Sequence, residues 1–297
     1  MPFSPFHARA YAACDALARS HYENFPVASR LLPRAMRPHV AAVYAFARIA
    51  DDIADEGTEP ARVRQQRLRA WQQRLHDAVA SGSFIPTAPD RDALIVLALA
   101  HSIRTLDLPI DLLDDLISAF AQDTIVTRYG SWREVLDYCR RSANPVGRLV
   151  LRIAGYADEG LDRSSDALCT ALQLTNFWQD FGRDWRAGRL YVPRYVLEAC
   201  GAREVDLDAG PLTPAWAGAI EAAVDMTRAQ FAEGRAVCDG VRGRLRWELR
   251  LTWLGGSRIL ERVHAGRGRL LQDRPTLEGR DVPGLVWRAI RWEGASA

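Results

Sequence analysis

The sequence predicts an all-α protein, a single-domain helical bundle of eight to ten helices joined by short links. Three observations carry this. Apolar residues recur at helical steps along most of the chain. No run alternates apolar and polar residues between turn dipeptides, as a half-buried strand would. Gly, Pro and Ser breakers fall between the periodic stretches.

Taken in order, residues from Val40 onward, through Tyr44 and Ala47, make an apolar helix that ends in Asp51, Asp52, Asp55 and Glu56. Arg62 to Val79 spaces Val63, Leu68, Trp71, Leu75 and Val79 at steps of three to five. Ala93 to Leu106 and Leu112 to Ile125 follow the same pattern, with Asp90 as an N-cap. Trp132 to Ile153 reads as one stretch capped by Ser131, and Pro145 within it should break the helical hydrogen-bond ladder. Ser164 to Trp185, Pro214 to Val237 and Leu245 to Val263 follow, set off by Gly160 and by the segment from Gly201 to Pro214. The core is expected over about 10–265 of the 297 residues. The Gly-, Pro- and Arg-rich remainder, 266–297, reads as a loosely attached extension with a last helix from Leu285 to Trp292.

Composition sets limits on function. The chain carries 39 basic and 37 acidic residues, a net charge of +2, which gives no electrostatic case for nucleic acid. Every basic residue is arginine, so lysine Schiff-base chemistry and a Walker A loop are excluded. The five cysteines are scattered, without a Cys-x-x-Cys, which fits a reducing compartment better than a zinc or disulfide framework. Apolar runs such as Ala93 to Ala100 fall far short of the ~18 residues needed to cross a bilayer. A cytoplasmic protein is expected, with peripheral contact at the inner membrane as an open question. Trp287, Arg288, Arg291 and Trp292 suit an interfacial helix and equally suit a helix that caps the bundle.

Two acidic ladders carry the chemistry. Asp51 and Asp55 are four apart and share a helix face, where like charges repel unless a cation lies between them. A solvated helix end accounts for that pair alone. The second ladder, Asn176, Asp180 and Asp184, repeats the spacing inside another apolar helix. Two such oxygen-ligand ladders suit Mg²⁺, which takes a few carboxylates and completes its shell with phosphate and water. A di-iron site would want Glu-x-x-His on two helices, and only Glu261 with His264 offers that spacing.

Four stretches resemble the squalene/phytoene synthase family: Ser20 to Phe25 with Leu31-Leu32-Pro33, Tyr44 to Asp55, Tyr138-Cys139 with Val146-Gly147, and Gln173 to Asp184 continuing through Gly188 to Pro193. The resemblance implies an isoprenoid-synthase fold and Mg²⁺-dependent chemistry on prenyl diphosphates. It places Asp51, Asp55, Asn176, Asp180 and Asp184 on the metal. Arg48 and Arg274 would neutralise phosphate, and His21, Phe25 and Gln173 would contact substrate. Phe25, Tyr44, Phe46 and Phe177 are candidates to face a carbocation, though for any one of them taken alone plain core packing is the favoured reading.

Departures narrow the branch. Gln179 stands where the phytoene and dehydrosqualene enzymes have Arg. Ser142 to Gly147 replaces their Ala-Gly-Thr-Val-Gly, and Gly256 aligns loosely with a late Tyr. The pattern is similar to the bacterial hydroxysqualene-forming branch of hopanoid pathways. That branch ionises presqualene diphosphate, rearranges the cation and captures water, and it needs no NADPH. It works beside a presqualene diphosphate synthase and a flavin-dependent reductase. Tyr138 and Asn144 are candidates to position the water. A condensing synthase that makes presqualene diphosphate, dehydrosqualene or phytoene is the alternative, and a non-catalytic assembly protein of the same fold is the reading outside enzymes.

Overall fold

A computed structural model describes residues 3–20, 31–82, 89–208 and 210–292. Among them the fold is all-α, with one isolated bridge between Arg128 and Leu190. Fourteen α-helices are described: α1 (Pro5–Ser20), α2 (Arg37–Asp55), α3 (Ala61–Ala80), α4 (Arg91–Leu106), α5 (Asp111–Asp123), α6 (Trp132–Ser142), α7 (Asn144–Ile153), α8 (Glu159–Gln179), α9 (Phe181–Arg186), α10 (Arg194–Cys200), α11 (Pro214–Gly234), α12 (Val237–Gly240), α13 (Gly243–Ala265) and α14 (Val282–Arg291). The described residues include no helix long and apolar enough to cross a membrane.

The helix ends follow local chemistry. Asp90 accepts from the Ala93 N–H at 2.7 Å, and Ser131 and Thr213 cap α6 and α11 in the same way. Asp107 ends α4 in the left-handed region, at φ 51°.

Three expected helices are each divided. The 132–153 stretch stops at Ser142 and restarts at Asn144, because Pro145 has no N–H and its ring suits only the first turn of a new helix. The 164–185 stretch begins earlier, at Glu159, so Gly160 lies in its first turn instead of breaking it. It then bends at Asp180 (φ −94°, ψ 12°). There the Asp180 carbonyl accepts from both Arg183 and Asp184, a one-turn tightening toward 3-10 geometry. The 214–237 stretch divides after Gly234. Helices α1 and α10 were not among the expected elements.

The residues group into two compact units, 1–125 with 145–158, and 126–144 with 159–297. In the first, α1 packs on α2 and α4, and α2 also packs on α3 and α5. Phe46 is fully buried and stacks on Trp71 at 5.2 Å, so it serves the core and not a substrate cavity. The Trp71 indole N–H donates to the Phe46 carbonyl at 3.2 Å. In the second, α8 packs along α11 and against α13. The indoles of Trp178, Trp216 and Trp253 are buried, and each donates to an acceptor: Thr227 Oγ1, the Arg203 carbonyl and the Phe231 carbonyl.

The extension from 266 onward is tied down, not loose. Leu212 N–H donates to Gly268, Arg186 to the Leu271 carbonyl, Gln179 to the Pro275 carbonyl and Arg235 to the Trp292 carbonyl.

A buried polar cluster joins α1, α2 and α4. The Tyr11 hydroxyl lies 2.8 Å from His101 Nδ1, 3.2 Å from His39 Nδ1 and 2.9 Å from Ser102 Oγ. The His7 ring lies against that of His101, with centroids 3.9 Å apart. Burial first, and then the neighbouring His7, His39 and Arg104, lower the His101 pKa to about 4. The unfolded imidazole takes its proton near pH 6.5, so the stability this neutral ring contributes is present above about pH 6.5 and is lost as pH falls toward 4. Denaturant unfolding of wild type and His101→Gln across that window should show the wild type losing more stability than the variant. Parallel curves would show that His101 does not contribute to acid sensitivity.

Candidate active site

In the first unit the candidate residues lie at the end of α2. Its inner face is filled by Val40, Ala41, Ala45, Phe46, Ile49, Ala50 and Ala54, all buried. That leaves Tyr44, Arg48, Asp51, Asp52 and Asp55 on the open side, at helical spacing. The carboxylates cluster at the partly negative end of the helix dipole, which adds to their mutual repulsion. Arg48 offsets it, with Nη1 3.3 Å from Asp51 and Nη2 2.6 Å from Asp52. Burial pulls the Arg48 pKa down, but Asp51 and Asp52 together outweigh it and hold the guanidinium above its ordinary value. Burial, and then those same two carboxylates against the opposing pull of Arg48, raise the Tyr44 hydroxyl. Arg64 closes the helix end by donating to the Ala54 carbonyl. Asp52 is a partner that the ladder spacing alone did not single out.

In the second unit Gln173, Asn176, Asp180 and Asp184 follow one line along α8 and α9. The bend at Asp180 preserves it: Asp180 N–H donates to the Asn176 carbonyl at 2.8 Å, and Asp184 N–H to the Asp180 carbonyl at 2.9 Å. Arg274 grips the Asp180 carboxylate with both ends of its fork, Nε at 2.5 Å and Nη2 at 3.1 Å. Arg189 lies 3.9 Å from Asp184.

Arg274 reaches Asp180 because the backbone before it passes directly over Gly182. A Cβ at 182 would collide with the Leu271 carbonyl and lie 2.9 Å from that of Leu270. Buried Gln179 then fixes the strand of chain beyond Arg274, donating to the Pro275 carbonyl at 2.6 Å. The residue that marked a branch in the sequence is thus an anchor for the extension.

Beside the ladder stands an aromatic wall. Phe177 stacks on Tyr191 at 3.6 Å and 5°, and Tyr138 lies 6.1 Å from Phe177 and 6.4 Å from Tyr191. Tyr129 adds a stacked contact with Tyr191 at 5.7 Å. The main chain enforces this: Leu190 N–H donates to Thr127 and Arg194 N–H to Tyr129, so the two segments run side by side. Tyr129 and Tyr191 were not singled out by sequence reasoning. The Gly188 to Pro193 stretch that contains Tyr191 was part of the family pattern, but nothing in it pointed to a ring stack.

Asn144 is buried where α6 meets α7. With its amide nitrogen turned inward it faces Thr170 Oγ1 at 3.0 Å, the Asp166 carbonyl at 3.1 Å and the Cys139 carbonyl at 3.3 Å, tying this junction to α8. Gly256 has no space for a larger residue: a Cβ would lie 2.6 Å from Leu172 and 2.8 Å from Phe231. Glu261 pairs with Arg258 at 2.7 Å, and His264 lies 3.6 Å from Glu221, so both members of the Glu-x-x-His spacing face other residues. His21 and Phe25 lie outside the described residues.

Among the described residues no group of three or more His, Cys, Asp or Glu side chains is drawn together tightly enough to hold a metal ion. The ladders instead offer hard oxygen donors whose charge arginine balances. That donor set fits a hard divalent cation and not a soft one.

The pattern that defines the squalene/phytoene synthases matches residues 18–281. The chain belongs to this family. It is 33% identical over 260 residues to the hydroxysqualene synthase of Rhodopseudomonas palustris, a match covering 87% of this chain and 82% of that one. With the hydroxysqualene synthase of Zymomonas mobilis it shares 40% identity over 188 residues, 62% of this chain and 59% of the relative's length. The crystal structure of squalene synthase HpnC from Alicyclobacillus acidocaldarius superposes with a TM-score of 0.80 at 40% identity, covering 89% of this chain and 96% of that one.

The glycine contact is testable. Gly182→Ala should destabilise the protein by about 1–3 kcal/mol, as overpacking against backbone does. It should also weaken whatever the Arg274–Asp180 pair supports. Urea unfolding that superposes on wild type would show that the extension can shift freely.

Proposed function

We propose that the protein is a hydroxysqualene synthase acting on presqualene diphosphate. The carbinyl C–O bond breaks with its electron pair leaving on diphosphate. The cyclopropylcarbinyl cation rearranges, and water adds to the new cation and loses a proton, so presqualene diphosphate and water give hydroxysqualene and diphosphate. The observation that carries this reading is the polar ladder of Gln173, Asn176, Asp180 and Asp184 beside the rings of Tyr129, Tyr138, Phe177 and Tyr191. One face suits a diphosphate and the other an apolar cation. The branch is supported by the likeness to two hydroxysqualene synthases.

Asp51, Asp55, Asn176, Asp180 and Asp184 are the residues that would hold Mg²⁺. Held there, Mg²⁺ would supply Lewis-acid stabilisation of the departing diphosphate. Arg48 and Arg274, now spent on carboxylates, are the cations that can turn to phosphate oxygens once those carboxylates are otherwise satisfied. The ring faces of Tyr191 and Phe177 each offer a carbocation about 0.5–2 kcal/mol. Tyr129, Tyr138, Phe177 and Tyr191 are all buried, so the wall is largely shielded from water, as a cation that must rearrange before capture requires. His21, Phe25 and Tyr44 complete the proposed substrate contacts. Tyr138 and Asn144 are proposed to set where the water is admitted, Asn144 by fixing the α6–α7 junction.

The test is an end-point assay with presqualene diphosphate and Mg²⁺, without NADPH, with lipids identified by mass spectrometry. Hydroxysqualene is the expected product, and Asp51→Asn and Asp180→Asn should each lower turnover at least about a hundredfold. Consumption of farnesyl diphosphate in its place would make the protein a condensing synthase. Asn144→Ala removes a buried amide that ties the α6–α7 junction to Thr170 and Asp166, so it should cost about 1–3 kcal/mol of stability and shift product away from hydroxysqualene. An unchanged product ratio in the folded variant would remove Asn144 from water capture.

A further inference from the structure

Helix α14 turns its apolar side outward. Val282, Val286 and Ile290 follow one line along it, with Trp287 beside them, and all four are exposed, Val282, Trp287 and Ile290 by more than half. Only Ala289 of the helix is buried. Trp247 on α13 and Leu277 before α14 add further exposed apolar surface. Isolated exposed apolar residues need no explanation, but a contiguous ridge on a helix whose Arg291 also lies over Trp287 does.

The charge around the ridge identifies what covers it. Residues 241–292 contain twelve arginines and five acidic residues, a net of +7 in a chain whose total is +2. Helix α14 itself carries no acidic residue. The nearby acids are spoken for: Glu261 by Arg258 at 2.7 Å and more distantly by Arg288 at 4.0 Å, Asp281 by Arg262 at 2.8 Å, Glu278 by Arg280 at 2.7 Å and Asp239 by Arg250 at 3.0 Å. Arg291 lies over the Trp287 ring at 4.7 Å, and Arg250 lies 5.7 Å from the Trp247 ring. Trp with Arg at the edge of an apolar helix face is the composition that settles at the headgroup level of a bilayer. A second copy meeting this face across a two-fold axis would set the same positive surface against itself.

We propose that the outward face of α14, with Trp247, is a peripheral docking surface for an anionic lipid bilayer. Val286, Trp287 and Ile290 enter the headgroup–acyl boundary, and Arg288 and Arg291 meet lipid phosphates. The assignment rests on exposure and charge and stands apart from the identity of the substrate.

Flotation of the full-length protein with phosphatidylcholine vesicles, with and without phosphatidylglycerol, tests it. Wild type should float with the anionic vesicles, remain below with the neutral ones, and be released as salt is raised. The Trp287→Ser/Ile290→Ser double variant should keep its circular dichroism and melting temperature and bind anionic vesicles at least about tenfold more weakly. Arg291→Glu should weaken binding in the same direction. The proposal is overturned if wild type ignores anionic vesicles, or if the double variant binds them as well as wild type. It is equally overturned if sedimentation shows a wild-type dimer that the double variant dissociates, since a second copy would then be the occupant.

Discussion

Stacked carboxylates on otherwise apolar helices repel each other, and the structure around the candidate site is arranged to contain that repulsion. On α2 the task falls to Arg48, which reaches Asp51 and Asp52 from the preceding turn. On α8 and α9 no residue within a turn grips Asp180 as closely as Arg274, which comes from the far end of the chain. The difference follows from burial. Asp180 lies on a helix whose neighbouring positions carry Phe177, Trp178, Gln179 and Phe181, all buried, and its close counter-charge is brought in by another segment, with Arg183 adding a longer contact at 3.6 Å.

Much of this could be read from residue order. Period, caps and breakers located most helices, and Pro145 announced the break before α7 because its chemistry is local. The ladder residues were legible for the same reason: a spacing of four has one meaning on a helix. What could not be read depends on distant parts of the chain meeting. The bend at Asp180 has no proline or glycine at that position to announce it. Gln179 was visible as a departure from a pattern, but its purpose requires Pro275. Tyr129 and Tyr191 are separated by 61 intervening positions and become neighbours only because the 127–130 and 190–195 segments run alongside each other. Phe46 shows the converse: it sits within a motif, yet its stack on Trp71 puts it in the core, the reading that residue type alone favoured.

The extension beyond 265 misled composition-based reading most. Gly, Pro and Arg usually mark solvated linkers, yet here each has a fixed partner. Arginine forks hold carbonyls and carboxylates, and Gly182 on the opposite side gives up its side chain so that the backbone can close in. The same segment leads into α14, so one stretch of chain both completes the charge balance at Asp180 and presents the apolar, arginine-edged ridge.

The grip of Arg274 on Asp180 spans 94 residues of sequence. A ribosome adding about 5–20 residues per second needs about 5–20 s to travel that distance. Throughout that interval the nascent chain carries the α8–α9 carboxylates without their distant cation and leaves Gly182 uncovered. The α8–α9 ladder is therefore completed only once Arg274 has been made, and a stop before Arg274 leaves Asp180 without the clasp that finishes it.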